Sequence, residues 1–128
     1  METERKEQLT DQDPKEFKEE REELNRLLLD KADRVIKRFI SLDSLAYRQG
    51  ALAVDVKELL GLTASAVLRC DDCIRYHLDR CLSESVSTDK VMEALGIAMV
   101  VGGSITIPHI RRAVKYWMQL NGENDNDR

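Results

Sequence analysis

From residue 15 onward, apolar residues recur every three or four positions, the spacing that gathers side chains on one face of a helix. Phe17, Leu24, Leu27, Leu28, Ala32, Val35, Ile36 and Ile40 form the first such stripe and predict an amphipathic helix from about Lys15 to Ile40. Its first half, KEFKEEREE, is charged enough to be solvated or to lie across a neighbouring subunit. The stripe is too short to demand a coiled-coil partner. Asp43 or Ser44 can cap a short helix through Tyr47, which Gly50 breaks. The next helix is expected to begin between Ala53 and Asp55 and run to about Arg69. Leu59, Leu60, Leu62, Ala64, Ala66, Val67 and Leu68 leave it almost no polar face, so burial nearly all round is expected. A tight turn then leads into a helix from Cys70 to about Leu82. SESVS reads as a loop, with Ser87 capping the following helix and Asp89 in its first turn. Gly102 and Gly103 end that apolar helix or permit close helix–helix approach. Ser104 is the expected cap of a last helix reaching about Leu120. Pro108 falls near its first turn, where a missing N–H does least harm.

No strand alternation, internal repeat or Gly-rich phosphate loop interrupts this pattern. An all-α fold is therefore predicted, a compact bundle of about six helices with short connections. Its 128 residues suit one domain. Residues 15–120 carry the helical pattern, whereas 1–14 (METERKEQLTDQDP) read as a disordered polar leader and 121–128 as a mobile polar tail. The net charge is −4, from 20 Lys and Arg against 24 Asp and Glu, without a basic patch suited to nucleic acid. No apolar run reaches a membrane span, and the charged N-terminus is unsuited to secretion. A cytoplasmic location is expected, where a C-x-x-C is catalytic or metal-binding rather than a structural staple.

The stretch from Glu58 to His77 carries the chemistry. The spacing of Cys70 and Cys73 lets two sulfurs meet at a helix start, within disulfide geometry. His77 follows Cys73 by four residues, which puts both on one helix face. A helix opening near Asp71 aims unpaired N–H groups and its positive dipole end at the cysteines, favouring the reactive thiolate. Two other readings compete. A structural zinc needs four ligands, normally two pairs; Cys73, His77 and Cys81 share a stripe, but Cys81 and His109 would have to complete the set. An inert buried pair is the other, which Arg69, Asp71, Asp72 and Arg75 oppose. The redox reading is preferred, with no metal. Glu58, on an apolar helix, needs a partner if buried. It can orient His77 and stabilise its protonated form if the two helices pack, or it is one more solvated glutamate. Cys81 is expected to be a small buried residue. Tyr76 and Ser65 are candidate pocket liners or core residues. Arg111 and Arg112 read as surface or intersubunit charges able to receive an anionic group.

Glu58, eleven intervening residues, Cys70-x-x-Cys73, three residues and His77 resemble the signature of the carboxymuconolactone decarboxylase and alkylhydroperoxidase D-like family. The likeness runs from about Phe39 to Met118. It includes Lys57 to Leu59, the helix ending in Val101, Gly102 and Gly103, and IPHIRRAV from Ile107 to Val114. It implies an all-helical homo-oligomer, often a trimer or hexamer, that reduces peroxides or disulfides with an external dithiol and no cofactor. It also implies the roles: Glu58 and His77 relay protons, Cys73 is the thiolate nearest His77, and Cys70 completes the disulfide. The helix of His109 is placed near the pocket, making His109 a candidate proton donor or substrate contact. Peroxidase-active members often carry His just before the second cysteine, where this chain has Asp72. An anion there raises a neighbouring thiol's pKa, which weighs against full peroxidase activity while leaving disulfide cycling. A decarboxylase-type lyase on the same scaffold and a non-enzymatic redox sensor stand as alternatives.

Overall fold

The computed structural model describes residues 13–122. The leader assigned to residues 1–14 lies outside it up to residue 12, as does the tail from residue 123. Six α-helices and one 3-10 turn make up the described residues, with no strand among them. They are α1 (Pro14–Lys31), α2 (Arg34–Ala46), α3 (Val54–Leu68), α4 (Asp71–Ser83), α5 (Thr88–Gly102), the turn Ser104–Thr106, and α6 (Ile107–Leu120). The chain divides into two compact units, one ending at Arg48 and the other beginning at Gln49.

The first unit corrects the helix expected over Lys15–Ile40. Asp13 caps α1 by accepting the Glu16 N–H at 2.8 Å, and Pro14 occupies the first turn. The helix stops at Lys31 because Ala32 turns extended and Asp33 caps a new one, accepting the Ile36 N–H at 3.0 Å. The apolar spacing continues across this break, so periodicity alone conceals it; the capping aspartate reveals it. The separate short helix expected at Asp43–Tyr47 is the end of α2. Around its start, Ala32, Asp33, Arg34, Lys37, Arg38 and Ser41 line a shallow open hollow.

In the second unit α3 packs on α4 and α5, while α4 also packs on α6. Leu62 and Ala66 of α3, Ile74 and Leu78 of α4, Val91 and Leu95 of α5, and Ile110 and Trp117 of α6 form its core. Burial of these large side chains contributes about 1.5–3 kcal/mol each, offset by chain entropy. Among the hydrogen bonds that fix α6 to its neighbours, Trp117 Nε1–H donates to Thr88 Oγ1 at 2.9 Å, and Tyr116 O–H to Asp79 Oδ1 at 2.8 Å. The expectation that α3 is buried nearly all round is not met in the single chain. Leu60 and Leu68 are more than half exposed.

Gly103 ends the apolar helix as read from the sequence, whereas the closest approach at Gly102 is to the 3-10 turn that follows rather than to another helix. A Cβ on Gly102 would lie 2.5 Å from Thr106 Cγ2, and Thr106 is fully buried with its hydroxyl bonded to the Gly103 carbonyl. Gly103 has φ +83° and ψ −174°, a conformation open essentially to glycine. The last helix is not capped by Ser104. That residue opens the 3-10 turn instead, and α6 starts at Ile107 without a side-chain cap.

Candidate active site

The turn that delivers the cysteines is built from α3's end. Arg69 adopts the left-handed conformation (φ 61°) that more often falls to glycine at this position. The Cys70 N–H then reaches back to the Ser65 carbonyl and the Arg69 N–H to that of Ala66, both at 3.1 Å. The pairing satisfies α3's last carbonyls and places Cys70 at the N-cap of α4. Its Sγ there accepts the Cys73 N–H at 3.3 Å, using sulfur where Ser or Asp normally serves.

The three cysteines are unbridged. Cys73 is exposed and its thiol is pushed up to about 11 from an ordinary 9.0. Burial is the largest cause, followed by its hydrogen bond to Cys70, the charge of Cys70 and that of Asp72; a backbone hydrogen bond acts the other way. Asp72 therefore acts in the direction read from the sequence, although its carboxylate is mostly exposed and pairs with Arg75 Nη1 at 3.2 Å. Arg75 itself is buried, contrary to its use as a sign of an open surface.

Glu58 and His77 meet. Glu58 Oε1 lies 2.9 Å from His77 Nδ1, with Glu58 1% and His77 7% exposed. A carboxylate at that distance accepts the Nδ1 hydrogen, fixing the tautomer and leaving Nε2 for proton transfer. The other carboxylate oxygen is 3.6 Å from Arg80 Nε, and Arg80 also lies 3.8 Å from Glu84. The buried acid thus has two cationic or potentially cationic partners, which offset its desolvation. Tyr76 tilts against the His77 ring, with centroids 5.2 Å apart. Cys81 is fully buried, as expected, and its thiol is pushed up to about 12 by burial and by the charges of Glu58 and Asp55.

His109 joins a second cluster. Its Nδ1 lies 2.8 Å from Asp71 Oδ1, while Arg112 Nε donates to Asp71 Oδ2 at 3.2 Å. Neither contact was legible from separation in the chain. Arg80 and Arg112 carried one usable signal, each standing three residues after a histidine and hence on its face. Among the described residues, no three His, Cys, Asp or Glu side chains gather in a group suited to holding a metal ion.

Among curated proteins, an uncharacterized protein of Cupriavidus necator is 29% identical over 76 residues, spanning 59% of this chain and 67% of its own. Uncharacterized protein 4 in the cox locus of Paracoccus denitrificans is 24% identical over 84 residues, 66% of this chain and 76% of its own. A crystal structure of a Thermotoga maritima protein superposes with a TM-score of 0.83 at 55% identity, covering 88% of this chain and 98% of that one. A second Thermotoga maritima structure matches at 54% identity and a TM-score of 0.77, over 85% of this chain and 97% of that one; it is described as a carboxymuconolactone decarboxylase family protein with a suggested involvement in antioxidative response. A Legionella pneumophila protein of that family, 19% identical with a TM-score of 0.77 over 87% of this chain and 97% of its own, shares the fold. With residues 34–116 matching the family model as well, this chain belongs to the carboxymuconolactone decarboxylase family.

Proposed function

We propose that this chain is a thiol-dependent oxidoreductase that reduces a peroxide or disulfide through Cys70 and Cys73, with Glu58 and His77 as proton relay. The observation that carries the reading is the buried 2.9 Å contact between Glu58 of α3 and His77 of α4, the helix that Cys70 caps and whose first turn holds Cys73. With its pKa raised by burial, Cys70 and Asp72, the Cys73 thiol stays protonated near pH 7, so attack needs a base in the same step. His77 Nε2 is that base, reaching the thiol through water or the bound peroxide, and Glu58 stabilises the imidazolium.

In the cycle Cys73 sulfur attacks one peroxide oxygen, the O–O bond breaks, and the alcohol leaves with the proton from His77. Cys73 is then a sulfenic acid. Cys70 attacks it, releasing water and closing the Cys70–Cys73 disulfide. An external dithiol reopens that bond by two exchange steps and is itself oxidised. The chain's assembly as a homo-oligomer, a trimer or hexamer, belongs to the same proposal. It is supported by apolar side chains exposed in the single chain, among them Phe39 and Leu42 in the first unit and Leu68 and Val100 in the second.

Peroxide consumption with dithiothreitol as donor tests the reading. Cys70→Ser and Cys73→Ser should each abolish turnover, and one equivalent of peroxide should remove two thiols per chain. Turnover of a lactone acid that ignores both substitutions would instead identify a decarboxylase. A change of oligomer without turnover would identify a redox sensor.

A further inference from the structure

A second histidine–carboxylate contact lies at the start of the cysteine helix. Asp71, the residue after Cys70, is held on both oxygens by α6: Oδ1 by His109 Nδ1 at 2.8 Å, and Oδ2 by Arg112 Nε at 3.2 Å and Nη2 at 3.1 Å. A carboxylate only accepts, so Nδ1 carries the hydrogen. Arg112 Nη2, 3.2 Å from Nδ1, is then a second donor crowding toward the same acceptor. Asp72 differs sharply from its neighbour. Its side chain is 81% exposed and turns to Arg75, and its charge opposes ionisation of Cys73. The two carboxylates stand between the two cysteines in the chain, but only Asp71 is matched across the fold. The charged groups meeting His109 among the described residues are Asp71 from α4 and Arg112 from its own helix; no ionisable side chain of α5 or the 3-10 turn pairs with it.

We propose that Arg112 and His109 are positioning residues that cancel the Asp71 charge beside Cys70, so that this cysteine can ionise when it displaces the product from Cys73. Arg112 balances the carboxylate permanently. His109 adds a hydrogen bond to the other oxygen, which disperses that charge. The catalytic consequence rests on the thiol-redox reading; the charge effect on Cys70 does not.

Iodoacetamide alkylation of Cys70 as sole thiol, in full-length C73S/C81S protein, tests this without any oxidant. R112Q should slow alkylation about tenfold at pH 7, the scale of one unscreened charge near a partly buried sulfur. D71N should match or exceed the parent rate, and D71N/R112Q should recover it to within about twofold, since a charge that is absent needs no counter-ion. H109Q, which leaves Arg112 on Asp71, should slow alkylation by less than R112Q does. If D71N slows alkylation as R112Q does, the cluster acts through packing and the proposal is overturned; equal rates in all variants overturn it as well. Should R112Q fail to fold, the D71N rate still decides, since a rate below the parent's overturns the proposal. A protein inert toward peroxide but showing this pattern would refute only the redox function, and an active one lacking it would refute only the charge effect.

Discussion

Replacing Glu58 with glutamine probes the relay while preserving its shape. Glu58 is 1% exposed, accepts from His77 Nδ1 at 2.9 Å and lies 3.6 Å from Arg80. The amide oxygen introduced by Glu58→Gln can still accept the imidazole hydrogen, so what is lost is the charge. A charge-assisted hydrogen bond contributes about 1.5–3 kcal/mol against about 0.5–1.5 for a neutral one. Removing a buried carboxylate also relieves its desolvation, which offsets part of that loss in the resting protein. Stability measured by urea unfolding should therefore change by no more than about 1 kcal/mol. The reaction has no such offset, because imidazolium forms only as Cys73 gives up its proton. Losing a buried counter-ion there costs about 1.5–3 kcal/mol of barrier, roughly ten- to 150-fold in kcat for peroxide consumption with dithiothreitol. Glu58→Ala, which leaves the buried His77 Nδ1–H without its acceptor, should also destabilise by about 1–3 kcal/mol. A folded Glu58→Gln protein with the parent kcat, in an assay where Cys73→Ser is dead, would rule out a charge-stabilised imidazolium.

Three more outcomes follow from the same geometry. Asp72→Asn should speed alkylation of Cys73 at neutral pH, by only about two- to threefold because the carboxylate is largely solvated; this is read by iodoacetamide kinetics with mass-spectrometric site assignment, and a slower rate would contradict the assigned charge effect. Cys81 is protonated up to about pH 12 when folded but ionises from about 9 when unfolded. The unfolded chain sheds its proton first, so this thiol's contribution is complete below pH 9 and is lost as pH rises toward 12. Cys81→Ala should flatten the alkaline fall in urea stability relative to the parent, and an unchanged slope would count against it. Gly102→Ala should cost about 1–3 kcal/mol, since its Cβ would meet a buried Thr106 held by its own hydrogen bond; an unchanged thermal midpoint would show that Thr106 yields.

The features legible in the chain are the local ones. Helical spacing placed α3 to α6 within a few residues of where they lie, Ser87 caps α5 as read, and Cys70-x-x-Cys73 falls at a helix start. These depend on neighbours three or four positions away, so they are written in the order of residues. The break at Ala32–Asp33 was local too, but an apolar stripe running through it outweighed one capping aspartate. Which charges meet is settled instead by the assembled bundle. Glu58 finds His77 across 19 positions and Asp71 finds His109 across 38, distances over which spacing carries no orientation. Assembly also brings Arg80 to the buried acid, buries Arg75, and turns Leu60 and Leu68 outward in the single chain. Such outcomes depend on how helices rotate and stack against one another, and that is set by the summed packing of the core, not by any one segment.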